Sequence, residues 1–104
     1  MSKWGGVTGC LAIARAAREA GRVYGPHFLG GGIGLEASAH VLSAAGGPGL
    51  LEIDVNPNPL REAFEAVARR MSAGHLTLSS GPGLGIDDLP TGLLELITLH
   101  RDVS

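Results

Sequence analysis

Large rings are scarce in this chain: one Trp, one Tyr and two Phe make up 4% of its 104 residues. Small independent domains rely on a few such side chains to fill their interior, so this sequence has limited means of building a core alone. Cysteine is nearly absent. The single Cys10 excludes an internal disulfide and fits a reducing compartment. Nothing adjacent would activate it, so it reads as a small buried helix residue and not as a nucleophile. An excess of one charge is missing as well: eight Lys and Arg face ten Asp and Glu, and the formal net charge is −2. The basic stripe that neutralises phosphates is therefore lacking, which argues against nucleic-acid binding. Long apolar runs do not occur, and Met1-Ser2-Lys3-Trp4-Gly5-Gly6 has none of the apolar stretch of a signal peptide. These features predict a cytoplasmic protein without membrane contact.

What the chain has instead is glycine, 17 of them, which implies tight turns and close backbone approaches. The spacing predicts a helix over 8–21, with Thr8 as N-cap, Cys10, Ile13, Ala14 and Ala17 on one face, Arg15, Arg18 and Glu19 toward solvent, and Gly21 as terminator. A strand over 22–25 follows, stopped by Pro26 and the run Gly30-Gly31-Gly32. A second helix, apolar or small on nearly every face, is predicted over 33–45, and a second strand over 50–54. Asn58 then caps a helix whose first residue is Pro59 and whose apolar face reads Leu60, Phe64, Val67, Met71. The remainder is expected to form a strand over 75–79, an ordered turn at Gly81-Pro82-Gly83-Leu84-Gly85 and a terminal helix over 91–99. Helix, strand, helix, strand with short Gly-containing connections is the rhythm of parallel α/β architecture. A closed (β/α)₈ barrel needs roughly 200 residues or more, so two such units would be an incomplete barrel with unpaired strand edges.

In α/β folds functional groups collect where parallel strands end. That rule selects His27, just past the first strand, then Glu52 and Asp54 at the end of the second, all on one rim. Histidine can abstract a proton at neutral pH because its ordinary pKa is about 6.5, and a rim carboxylate can hydrogen-bond to substrate or position a base. The plainer alternative is a surface-loop His and a partly exposed strand Glu. A second motif competes: Gly32-Ile33-Gly34-Leu35-Glu36-Ala37 fits the dinucleotide pattern G-x-G-x-x-A, with Glu52 twenty residues after Gly32. That fingerprint wants its first Gly directly after a strand, whereas Pro26 to Gly31 intervene here. The same glycines, Gly32 in particular, could still present backbone N–H groups to a substrate anion.

Three segments carry a resemblance. Lys3-Trp4-Gly5-Gly6-Val7-Thr8-Gly9, then Tyr24-Gly25-Pro26-His27-Phe28-Leu29-Gly30-Gly31-Gly32-Ile33-Gly34, then Leu51-Glu52-Ile53-Asp54-Val55-Asn56-Pro57-Asn58-Pro59-Leu60-Arg61 resemble consecutive landmarks of the mandelate racemase and muconate lactonizing branch of the enolase superfamily. The Gly81 to Gly85 run is similar to that family's return segment. The resemblance implies the C-terminal portion of a (β/α)-barrel, from the end of the sixth strand through the eighth. Residues 1–72 would supply the barrel units, and residues 73–104 the segment that returns toward a capping domain.

The activity it implies is Mg²⁺-assisted abstraction of the α-proton of a small carboxylate substrate, leading to racemisation, elimination as in acid-sugar or hydroxy-acid dehydratases, or cycloisomerisation. By the same resemblance His27 stands at the position of the catalytic His, Glu52 at that of a Glu that hydrogen-bonds the substrate carboxylate, and Asp54 and Gly32 near the substrate. Lys3 stands near a double Gly where the lactonizing subgroup has an acid/base Lys and the racemase subgroup a structural one. No metal ligand is expected in this chain. The acidic Mg²⁺ ligands, the Asp that supports the His, the rest of the barrel and the capping domain are all expected upstream, and the full-length form is expected to be a homo-oligomer. An inactive truncated product, or one chain of a split enzyme, is the alternative.

Overall fold

The computed structural model of the chain describes residues 2–64 and 70–98. Two helices dominate. The first, α1, spans Gly6–Glu19, and the second, α2, spans Gly32–Ala45. α1 starts two residues before Thr8 because Gly5, at φ 81°, turns the chain into the helix in a left-handed conformation open to glycine. Thr8 becomes an exposed first-turn residue, and no side chain caps this end. Cys10 and Ala14, one turn apart, are the buried residues of α1, and α1 packs on α2. Arg18, in the last turn of α1, donates to the carbonyl of Ala45, the last residue of α2. A cation there answers the partial negative charge of a helix C-terminus, so Arg18 locks the two helices together at one end.

α2 is buried on most of its surface, as its apolar and small residues predict: Leu35, Ala37, Ala39, Val41 and Ala45 lie inside. Two polar residues are buried with them. Ser38 satisfies its hydroxyl by donating to the Gly34 carbonyl one turn back, at 2.8 Å. Glu36, 3% exposed, pairs with the guanidinium of Arg70.

The strands expected over 22–25 and 50–54 are not strands. Both segments are extended connections that take no part in a ladder. They nevertheless lie side by side. The Tyr24 carbonyl sits so close to Gly49 that a Cβ there would overlap it, Gly25 faces the Leu50 carbonyl, and His27 meets Glu52. Each pair is separated by the same 25 residues, so the two segments run parallel. Among the described residues no backbone hydrogen bond joins them. A lone parallel pair has no neighbour on either side, and parallel sheets are stable only when covered on both faces.

Asn58 caps the next helix, α3 (Pro59–Glu62), as its sequence indicates: its side chain accepts from the Leu60 N–H at 3.0 Å, and Glu62 accepts from the Asn58 N–H at 2.8 Å. The expected continuation to Met71 fails at its far end. Glu65, Val67 and Arg69 lie outside the described residues, and Met71 belongs to a strand. β1 (Met71–Ser72) pairs antiparallel with β2 (His75–Leu76) through Ala73 and Gly74, at φ 49° and 78°. Two successive positive φ values make the tight hairpin turn that matches strand twist, and that turn takes Met71 from the helix. The strand expected over 75–79 accordingly ends at Leu76. The terminal helix is a 3-10 helix, Thr91–Leu96, and the expected end at Leu99 lies outside the described residues.

Leu35, Phe64 and Leu93 form the main apolar cluster, with Phe28, Leu51, Ile53, Leu76 and Ile86 against it. The cluster gathers the extended segments, α2 and the C-terminal part around one point. It thereby fixes the ends of the two segments that carry His27 and Glu52.

Candidate functional site

His27 follows Pro26, which is buried and anchors the segment, and its own side chain is 72% exposed. Glu52 stands between Leu51 and Ile53, both packed against the main cluster, which leaves its carboxylate outward. Alternation along an extended chain explains this: neighbours of an inward residue point out. The outcome is a direct pair, with His27 Nδ1 2.8 Å from Glu52 Oε1 and 2.9 Å from Oε2. Two residues chosen from their places near the ends of expected strands thus meet, although neither segment forms a ladder.

His27 also lines a cleft of about 840 Å³ with Lys3, Trp4, Tyr24 and Phe28. That volume suits a small-molecule ligand. Lys3, exposed on the 3-10 helix Ser2–Trp4, therefore shares an opening with His27. Burial pushes the Tyr24 hydroxyl above its ordinary range, with Cys10 adding to the effect, so the phenol keeps its proton near neutrality. The cleft offers a cation, a neutral hydroxyl and an imidazole beside aromatic faces. Trp4 and Tyr24 went unnoticed as candidates in the sequence, though both adjoin residues quoted there and aromatics commonly line ligand clefts.

The other two candidates are placed elsewhere. The Asp54 carboxylate accepts from the backbone N–H of Asn56 at 3.0 Å and from its side chain at 2.7 Å, and pairs with Arg61 at 3.4 Å. The Asn56 backbone bond holds this carboxyl below the usual range, against the opposing effect of desolvation, with the Asn56 side chain and Arg61 assisting. Asp54 thus closes a turn. An Asp whose side chain accepts from the backbone two residues on is the local signature of such a turn. Gly32, the first residue of α2, is buried beneath Phe64, whose ring occupies the space a Cβ would need. Neither residue lines the cleft. The dinucleotide fingerprint that begins at Gly32 also lacks the strand that must precede it.

Among the described residues no three or more of His, Cys, Asp and Glu gather closely enough to hold a metal ion. Glu52 is engaged by His27, and Asp54 by Asn56 and Arg61. No helix of the described residues is long and apolar enough to cross a membrane.

The sequence model of the family described as enolase C-terminal domain-like matches residues 1–88. The chain belongs to this family. The mixed order of helices and extended segments is compatible with the C-terminal barrel part that the enolase family implies. A curated relative is the arabinonate dehydratase of Saccharolobus solfataricus (strain ATCC 35092 / DSM 1617 / JCM 11322 / P2), 32% identical over 81 residues. The aligned part is 78% of this chain and 21% of that relative, so the chain spans about a fifth of the enzyme it resembles. No solved structure gives a significant match.

Proposed function

We propose that this chain is the part of an enolase-superfamily (β/α)-barrel enzyme that contributes the general base for a dehydration, with an acid-sugar or hydroxy-acid carboxylate as substrate. The observation that carries this reading is the His27–Glu52 pair, set where two parallel segments lie together and open to a cleft of substrate size. Membership of the enolase family and likeness to a dehydratase support it.

In the proposed reaction the α-C–H bond breaks, its proton passes to His27 Nε2, and the electron pair moves onto the substrate carboxylate as an enediolate. Collapse of the enediolate expels the β-hydroxyl, which leaves as water after taking up a proton. Lys3, in the same cleft, attracts the substrate anion or delivers that proton. Mg²⁺ belongs to the proposal as a cofactor of the whole enzyme, held by acidic residues elsewhere in the barrel, since the described acids of this chain do not form such a site. Residues 1–72 are assigned to the barrel units and 73–104 to the return segment, in a homo-oligomeric full-length enzyme.

The partner implied is the rest of the barrel with its capping domain. Val23, Leu50 and Val55, at 67%, 83% and 93% exposure on the extended segments, are apolar surface that such a partner would cover. The test is a chimera in which this chain replaces the matching segment of the arabinonate dehydratase, assayed for water loss from a panel of aldonic acids. We expect turnover, reduced by about 10²-fold or more in His27→Asn, the usual contribution of a general base. Near-normal rates in His27→Asn, together with their loss in Lys3→Ala, would transfer the base to Lys3.

A further inference from the structure

Two side chains of α2 are buried with hydrogen-bonding capacity to spare. Arg70 engages Glu36 through Oε1, but Glu36 Oε2 has no hydrogen-bond partner among the described residues, and neither has His40 Nε2. Both atoms are shielded from bulk solvent. Residues four apart on a helix lie one above the other on the same face, so the two side chains are neighbours. A buried polar atom costs free energy until a partner is found, and a buried charge costs more.

The surroundings define that partner. An ionised carboxylate only accepts, so the group at Oε2 must be a donor. A cation would face the Arg70 guanidinium already on this carboxylate, and among the described residues no third His, Cys, Asp or Glu joins the pair to hold a metal. An anion would face Glu36 itself. His40 Nε2 donates in one tautomer and accepts in the other, and a neutral molecule with both capacities suits either. Water is the smallest such molecule and the usual partner of buried polar groups that lack one in the protein. His40 is only half-buried, which gives solvent a way in.

We infer that Glu36 and His40 hold an internal water, which donates to Glu36 Oε2 and bonds to His40 Nε2. It extends the run of hydrogen bonds from the Thr77 carbonyl through Arg70 and Glu36 to His40. None of Glu36, His40 and Arg70 lines the His27 cleft, so the site stands apart from the proposed function.

The experiment is a crystal structure of the complete chain at a resolution that shows ordered solvent. One water should lie within about 2.7–3.2 Å of both atoms. His40→Phe keeps a ring but removes the nitrogen, and Glu36→Leu/Arg70→Met removes the carboxylate together with its cation. With one partner gone the water should be lost from each variant while the α2 backbone stays in place. No water in the wild type, a direct Glu36–His40 hydrogen bond, a protein donor at Oε2, or a water that persists in either variant would overturn the assignment.

Discussion

Arg70 joins its guanidinium to the carboxylate of Glu36, 34 residues earlier and buried in α2, while also donating to the Thr77 carbonyl at 3.0 Å. One side chain therefore ties the β1–β2 hairpin region to the central helix.

Removing Arg70 would strand a buried charge whose other oxygen, Oε2, has no hydrogen-bond partner among the described residues. Arg70→Met should destabilise the chain by about 3 kcal/mol, as expected when one member of a buried ion pair is deleted. The double variant Glu36→Leu/Arg70→Met should recover most of that loss. Urea unfolding of the three proteins measures both effects.

His27 and Glu52 make an ion pair of the opposite kind, at 72% and 46% exposure. His27→Asn should change stability by less than about 1 kcal/mol, because exposed pairs contribute little. A melting temperature equal to that of the wild type within a few degrees would show that any activity lost in the chimera comes from chemistry and not from unfolding.

Gly32→Ala places a methyl group against the Phe64 ring and should cost about 1–3 kcal/mol, the usual range for overpacking. Phe64→Leu should relieve part of the added strain, so the two substitutions together should be less destabilising than their sum. Chemical denaturation in a double-mutant cycle tests this.

Asp54 is depressed in the folded state, chiefly by the Asn56 backbone N–H. Its contribution to stability is therefore complete above the unfolded-state value of about 3.9 and disappears as pH falls through the lower folded value. Wild type should exceed Asp54→Asn in stability at neutral pH, with the gap closing below about pH 4. Circular dichroism across an acid titration of both proteins would reveal the convergence.

How far the sequence could be read depended on the range of the interaction involved. α1 and α2 were legible because helical periodicity and glycine stops are local signals. So was the Asn58 cap, whose partners lie within four residues. The strands over 22–25 and 50–54 were not, because a strand exists through its neighbours, and residue pattern alone does not show whether those neighbours are present. A shared rim for His27 and Glu52 was nevertheless legible, since the rule that places functional groups beyond strand ends requires adjacency of the segments and not a ladder; their direct contact was not. The turn around Asp54 was not read from the sequence: a carboxylate near a strand end can serve a turn or a ligand, and Asn56 two residues later and Arg61 seven residues later hold it here. The Arg70–Glu36 link had no local signal, since their separation follows no helical or strand period.

Gly49 gives the parallel segments something that ladder bonds otherwise supply, a fixed phase. Neither of its neighbours, Pro48 or Leu50, could take its place against the Tyr24 carbonyl, because each brings a side chain where only a hydrogen fits. Sliding one segment by a single residue is thus sterically barred. Such a slip would set His27 beside Leu51 or Ile53, whose side chains offer no acceptor for its N–H. The residue with no side chain therefore selects, three positions before Glu52, which group the imidazole meets.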